Sequence, residues 1–264
     1  MRNRVLAALL GLAIATAPSA VLLHGSVAGE HSGTSAHGAA PGQAWKPTII
    51  PAPLRQKDIP ADKRTLLADA MASLPADCQW ALKNLYVKTR KEVERGMAGS
   101  ESMILNGDID DVQLRAVFIH EYGHITDLGC LRGTKESGAS AFKDGPQTIY
   151  NDDPSVGFYA ISWKNEKSKR AGIGKEDFVS GYASWNPFED FAETYAYYVL
   201  QEDAFRARAE KNDILRRKLA WMEENVFRDY QHSAYGKTNG KEKQPWDVTL
   251  LPYDWHSGAV AMER

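Results

Sequence analysis

The spacing of apolar residues is most regular in the middle of the chain. Four of them recur at helical spacing and predict one buried face of a helix over about 111–128: Leu114, Phe118, Ile125 and Leu128. Asp110 and Gln113 form a capping box at its start. Gly129 is a natural C-cap at its end.

A second helical segment follows downstream. Asn186 is a good N-cap and Pro187 suits the first helical position, so a helix is predicted to about Gln201. Asp203 predicts the start of another helix that continues to about Phe227. Its apolar stripe is formed by Leu215, Leu219, Met222 and Val226.

The remaining pattern predicts a small sheet. A helix over 62–71 is followed by strands from about Leu85 and at 102–105, whereas 95–99 and 133–154 have the composition of turns and loops. Residues 157–163 have strand composition, and scattered aromatic residues after Lys237 predict packing along the domain. The expected class is α+β with a small sheet, the 111–128 helix and a mainly helical C-terminal part.

Composition adds few restrictions. The chain has 264 residues, of which 43% are hydrophobic and 25% charged, and this is typical of a globular protein. Its formal net charge of -2 gives no field that would attract nucleic acid or an anionic membrane. We therefore expect no nucleic-acid partner, and the composition assigns no oligomeric state.

The N-terminus is typical of a secretory signal. Arg2 and Arg4 precede an apolar run, and small residues near 20 and 28 offer two cleavage sites. The alternative is an uncleaved anchor, but Pro18 and Ser19 interrupt the run. We expect a signal peptide over 1–28, a Gly-, Ala-, Ser- and Pro-rich linker or extended arm over 29–60, and the folded domain over 61–264. The mature protein would be secreted or periplasmic, without stable membrane association.

Export affects the interpretation of the two cysteines. In an oxidising compartment Cys78 and Cys130 have only each other as partners, so a disulfide is expected, with two buried thiols as the alternative. The bridge would close a loop of about fifty residues and contribute about 3–4 kcal/mol on a chain-entropy estimate.

The 111–128 helix contains the sequence His120-Glu121-Tyr122-Gly123-His124, which reads H-E-x-x-H. Two histidines one turn apart can hold one zinc ion, and Glu121 can reach a water molecule beside it. The alternative is a helix with two core or surface histidines. Gly123 costs up to about 1 kcal/mol relative to Ala inside a helix, and close approach of another backbone segment would explain it.

A catalytic zinc needs a third protein ligand. The extended pattern H-E-x-x-H-x-x-G-x-x-H is excluded, because Asp127 and Cys130 occupy the positions of its glycine and third histidine. The later histidines, His232 and His256, have no helical context. A carboxylate from another helix is therefore the better candidate.

Glu189 and Glu193 lie one turn apart on the second helix. One could bind the metal while the other accepts the N–H of a ligand histidine. Glu189 is the preferred ligand, although it could instead close a capping box with Asn186. Glu193 is the second choice, and its alternative is a solvated helix face.

Together, the H-E-x-x-H helix, Tyr182 and the sequence Asn186-Pro-Phe-Glu-Asp-Phe-Ala-Glu193 resemble the gluzincin metallopeptidases. The likeness is greatest to the anthrax lethal factor-like branch and to zinc peptidases with an E-D-F-A-E helix. It spans about 100 residues, from Leu105 to Leu200.

The resemblance implies a zincin-like catalytic domain with one zinc ion per chain. Its implied ligands are His120, His124 and Glu189. Glu121 would be the general base, Glu193 would hydrogen-bond a ligand histidine, and Tyr182 would steady the oxyanion.

The expected function is that of a secreted zinc endopeptidase acting on polypeptides. The alternative is a secreted binding or surface-interaction protein on a zincin scaffold, with a structural metal or none. A third possibility is a zinc hydrolase of non-peptide amides. No residue of the sequence assigns a cleavage specificity.

Overall fold

The computed structural model describes residues 54, 59–89, 94–228, 230–239 and 243–256. They combine helices with small sheets, which confirms the predicted α+β class. The predicted leader (1–28) and nearly all of the predicted arm (29–60) lie outside these residues. Within the described ranges, no helix is both long and apolar enough to cross a membrane.

The described ranges contain six α-helices: α1 (Ala61–Ala72), α2 (Asp111–Ile125), α3 (Ser155–Ser162), α4 (Pro187–Leu200), α5 (Glu202–Ala209) and α6 (Asp213–Asn225). They also contain nine short strands: β1 (Asn84–Lys88), β2 (Gly96–Ala98), β3 (Ser102–Asn106), β4 (Ala139–Asp144), β5 (Gln147–Tyr150), β6 (Trp163–Asn165), β7 (Ser168–Lys169), β8 (Ala234–Gly236) and β9 (Tyr253–Trp255). The predicted 62–71 helix and the first two predicted strands correspond to α1, β1 and β3.

The largest sheet has the strand order β1-β3-β2. β1 and β3 are parallel, with Leu85 paired to Met103 and Val87 to Leu105, and these four side chains are buried. β2 pairs antiparallel to β3 and forms one edge of the sheet. This edge lies against α2, the helix that carries the H-E-x-x-H motif.

The turn predicted at 95–99 is wrong, because β2 lies there. Two glycines suggested a flexible segment, but pairing with β3 fixes it: the Asn106 N–H donates to the Arg95 carbonyl and the Gly99 N–H to the Ser102 carbonyl. Gly96 is needed for a close contact. A Cβ there would lie 2.5 Å from Oε1 of Glu121.

α2 ends slightly earlier than predicted. It continues from Ile125 into a π-helical turn, Thr126–Cys130, and Gly129 is not a left-handed cap. A Cβ at Gly129 would lie only 2.0 Å from the Ser100 carbonyl oxygen, so the glycine is explained by close packing. The predicted Cys78–Cys130 disulfide is present and joins this turn to the segment after α1.

α2 and α4 cross closely near the middle of the domain. At the crossing, a Cβ on Gly123 would lie 2.9 Å from the Cα of Ala192 and 3.2 Å from the Cβ of Tyr195. The predicted reason for this glycine, close approach of another backbone, is therefore confirmed. The approach places the inner faces of the two motif helices opposite each other.

The strand predicted at 157–163 is wrong, because α3 occupies most of it. Apolar and polar residues do not alternate in this segment, and a short continuous apolar run is compatible with either a buried strand or a buried helix. In the helix, Phe158 packs on Phe191 and Trp221, while Tyr159 packs on Phe188. Burial on two sides thus favours the helix.

Two further predictions are corrected. The loop over 133–154 contains the β4–β5 hairpin, whose turn uses the positive φ of Gly145, +54°. The single helix over 203–227 is divided into α5 and α6, because Asn212 starts a new helix by accepting the N–H of Leu215. Of the C-terminal residues predicted to pack on the domain, Tyr253 is buried as predicted, whereas Trp246 and Leu250 are exposed.

Candidate metal centre

α2 brings two histidines into the interior. Asp110 begins the helix by accepting the Gln113 N–H, and one turn separates His120 from His124. Their ring centroids are 5.1 Å apart and both side chains are buried. Buried imidazoles need partners, and the partners come from α4.

The start of α4 directs Glu189 towards them. The Asn186 side chain accepts the N–H groups of Phe188 and Glu189, each at 2.9 Å, as the predicted N-cap should. Oε2 of Glu189 then lies 3.4 Å from Nε2 of His120 and 3.4 Å from Nε2 of His124.

These distances fit a metal ion. Donors bound at about 2.0–2.2 Å to a tetrahedral zinc lie about 3.3–3.6 Å apart, which includes the observed separations. Oε2 of Glu189 is buried and accepts no hydrogen bond from the described residues. The donor set, two imidazoles and one carboxylate, is one that catalytic zinc uses, and His120, His124 and Glu189 are the one such cluster among the described residues.

The charges within the cluster are complementary. Burial lowers the pKa of each histidine, but the adjacent carboxylates, Glu189 foremost, outweigh it and raise the pKa above its ordinary value. Burial also raises the pKa of Glu189, but the two histidines hold that pKa well below the ordinary range. The Glu189 carboxylate is therefore ionised at neutral pH, as a metal ligand should be.

Glu193, one turn after Glu189, contacts the opposite side of the first imidazole. Its Oε1 lies 2.8 Å from Nδ1 of His120, so an N–H at Nδ1 donates to it and Nε2 is left free to bind a metal. The geometry thus separates the two glutamates: Glu189 faces the Nε2 atoms and Glu193 faces Nδ1.

Glu121 projects into a cleft of about 560 Å³ beside this cluster. Burial raises the pKa of its carboxyl, and the two histidines oppose that effect. A glutamate with a raised pKa is suited to accept and return a proton. Glu94 and Gly96 line the same cleft, and Gly96 lies close against the Glu121 carboxylate.

Tyr182 lines the cleft next to the cluster. Its ring stacks on that of His120 with centroids 5.9 Å apart. Burial, with the nearby Glu189, raises the pKa of its hydroxyl, so the phenol stays protonated and can donate a hydrogen bond.

The two other histidines among the described residues, His232 and His256, do not contribute to this cluster. His232 pairs with Glu202, with 2.8 Å between Nε2 and Oε2, and the ring of His256 packs on Tyr235. Asp190, next to the candidate ligand, is also used differently: it forms a fully buried ion pair with Lys218.

Sequence reasoning did not find two groups that hold Glu193. Its Oε2 accepts the hydroxyl of Ser180 at 2.5 Å and the backbone N–H of Val248 at 3.0 Å. Ser180 lies thirteen residues before Glu193 and Val248 lies 55 residues after it. No sequence motif relates residues at these separations. A backbone N–H donor also cannot be recognised from the sequence, because every residue except proline has one.

Comparison with known proteins gives one match. Residues 117–238 match a family model described as "Putative zinc-binding metallo-peptidase". The matched range includes His120, Glu121, His124 and Glu189, and it ends before Val248. No curated protein and no solved structure matches the chain. The match agrees with the predicted resemblance at the level of zinc-binding metallopeptidases, and the lethal factor-like branch stays a prediction.

Proposed function

We propose that the protein is a zinc-dependent endopeptidase of the gluzincin type with one zinc ion per chain, held by His120, His124 and Glu189. The observation that carries the proposal is the 3.4 Å separation of Oε2 of Glu189 from both Nε2 atoms. The edge strand β2 beside the motif helix supports a zincin-like architecture, and the family match supports a polypeptide substrate.

When bound, zinc supplies Lewis acidity, which makes water more acidic and polarises a carbonyl oxygen. Glu121 takes a proton from the attacking water while the water oxygen bonds to the carbon of the scissile carbonyl. The Tyr182 hydroxyl donates to the carbonyl oxygen as negative charge develops there. Glu121 then returns the proton to the amine nitrogen as the C–N bond breaks.

In this proposal the other residues orient the reacting groups. Glu193 fixes the ring and tautomer of His120 through Nδ1. The proposal also keeps the domain division expected from the sequence, with export directed by residues 1–28 and a linker or arm over 29–60. The Cys78–Cys130 disulfide is consistent with an oxidising compartment.

Glu121→Gln tests the proposal most directly. It keeps the size and position of the side chain but removes the base, so kcat for an unfolded protein substrate should fall by about 10²–10⁴-fold. Zinc content, measured by elemental analysis, should stay near one per chain. The control is Glu224→Gln, which changes an exposed glutamate on α6.

Full proteolysis by Glu121→Gln would refute the assigned base. A purified wild-type protein that binds no zinc would favour the non-enzymatic binding protein. Activity on small amides without any cleavage of polypeptides would indicate a hydrolase with a different substrate class.

A further inference from the structure

The segment 245–249, here called the clasp segment, contacts the candidate metal centre although it lies outside the family match. It precedes β9 and lines the same cleft as His120 and Glu121. Its contacts reach three places: the buried acid on α4, the turn that carries Tyr182, and Arg95 directly before the strand β2.

The contact with α4 concerns a buried charge. Glu193 is 0% exposed, and its carboxylate has three donors among the described residues: His120 Nδ1, the Ser180 hydroxyl and the Val248 N–H. A buried carboxylate is costly unless hydrogen bonds replace its water. Since Oε1 faces the imidazole, the two donors on Oε2 determine how the carboxylate is rotated.

The clasp segment is itself firmly held. The Gly181 N–H donates to the Pro245 carbonyl at 2.8 Å and the Tyr182 N–H to the Trp246 carbonyl at 2.7 Å. The Trp246 ring covers Gly181 so closely that a Cβ there would lie 2.5 Å from its Cε3 atom. The backbone that positions Val248 is therefore paired directly with the turn that positions Tyr182.

Its other end is fixed across the cleft. Arg95, adjacent to β2, forms an ion pair with Asp247 and donates to the Thr249 hydroxyl at 2.7 Å. Asp247 in turn accepts the backbone N–H of Thr249 at 2.8 Å. These bonds hold the short 3₁₀ turn, Val248–Leu250, with its first N–H directed at Glu193.

We infer that the clasp segment and Ser180 are positioning groups of the metal centre, which set zinc affinity by fixing Glu193 and through it the His120 ring. The inference rests on the proposed function for the identity of the metal. Loss of the direct hydrogen-bond partner of a metal-ligating histidine, here Glu193, typically weakens metal binding by 10–100-fold, and this range is the upper bound for changes to the groups that hold Glu193.

Val248→Pro tests the backbone donor. The residue opens a 3₁₀ turn and follows Asp247 with ψ 127°, a conformation that tolerates proline at the next position. The substitution removes the N–H and places a ring carbon against Oε2 of Glu193. In competition with a chromophoric chelator, the zinc Kd should rise 10–100-fold. Val248→Ala, which keeps the N–H but loses buried volume, should lower Tm and change the Kd less than threefold.

Ser180→Ala tests the second donor by a milder change. It should raise the zinc Kd by about tenfold, whereas Ser184→Ala, which loses only a hydroxyl bond to the Gly181 carbonyl, should leave it unchanged. If Val248→Pro does not fold, Ser180→Ala decides. A folded Ser180→Ala protein with wild-type zinc affinity would overturn the inference.

Zinc affinity separates this inference from the proposed function. Wild-type protein that binds zinc, with both variants weakened, supports the positioning role whether or not peptides are cleaved. Wild-type protein that cleaves peptides, with zinc affinity equal in all variants, refutes the positioning role and leaves the peptidase proposal standing.

Discussion

Gly123→Ala adds one methyl group where α2 packs closely against α4. The new Cβ would lie 2.9 Å from the Ala192 Cα and 3.2 Å from the Tyr195 Cβ. Backbone carbon cannot rotate away as the end of a flexible side chain can, so the two helices must separate by a few tenths of an ångström. His120 lies on one of these helices and Glu189 on the other.

Two opposing effects determine the free energy of unfolding. Alanine is favoured over glycine inside a helix by about 1 kcal/mol. Overpacking a dense core costs about 1–3 kcal/mol. The net effect expected for Gly123→Ala is a loss of about 1 kcal/mol. Helix separation also lengthens the distances between the ligand atoms of the proposed metal site, and about 1–2 kcal/mol of strain there corresponds to roughly 5–30-fold weaker zinc binding.

The measurements are urea unfolding of the metal-free protein and zinc competition with a chelator. Gly157→Ala is the matched control, because Gly157 also lies inside a helix but its Cβ would meet only the Trp221 ring, at 3.2 Å. Because that ring can shift, the free energy of unfolding of the control should rise by up to about 1 kcal/mol, and its zinc affinity should not change. If Gly123→Ala gains stability as the control does and binds zinc normally, the packing argument is wrong.

Three further changes have defined outcomes. Gly96→Ala would place a Cβ 2.5 Å from Oε1 of Glu121 and displace that carboxylate, so kcat should fall about 100-fold with zinc retained. Gly99→Ala is the control, because its Cβ would meet open space, and it should be fully active. Equal activities of the two variants would contradict the argument. Lys218→Met removes the ion-pair partner of the buried Asp190 carboxylate and should lower the free energy of unfolding in urea by about 3–5 kcal/mol. A loss under 1 kcal/mol would show that other groups, or protonation, stabilise the carboxyl group without the lysine. Cys78→Ala opens a disulfide between positions 52 residues apart and should cost about 3–4 kcal/mol, and an unchanged urea midpoint would argue against the bond.

The two motif helices were predictable because their signals are local. Asp110 caps one and Asn186 with Pro187 begins the other, and each cap acts within three residues. Helical periodicity then places His120 beside His124 and Glu189 beside Glu193 without any knowledge of the fold. What periodicity could not provide was the orientation of one pair relative to the other.

The missed features depend on contacts distant in sequence. β2 is a strand because β3 pairs with it, although Gly96 within it and Gly99 after it favour a turn. α3 is a helix because aromatic residues from other helices pack on two of its sides. Lys218 is a buried partner of Asp190, whereas a lysine in a helix is normally solvated. In each case tertiary packing outweighed a local preference.

The crossing of α2 and α4 explains how two pairs of side chains meet at the candidate centre. Each helix contributes a pair one turn apart, and the close contact of Gly123 with Ala192 lies between the members of both pairs. With the helix axes fixed there, Glu189 meets the Nε2 side of the histidines and Glu193 meets the Nδ1 side of His120. The division of labour between two chemically identical glutamates is thus a result of where two backbones cross. Zinc affinity should reveal it: under the proposed function, Glu189→Gln replaces a charged metal ligand by a neutral amide, whereas Glu193→Gln only weakens the hydrogen bond to the His120 imidazole.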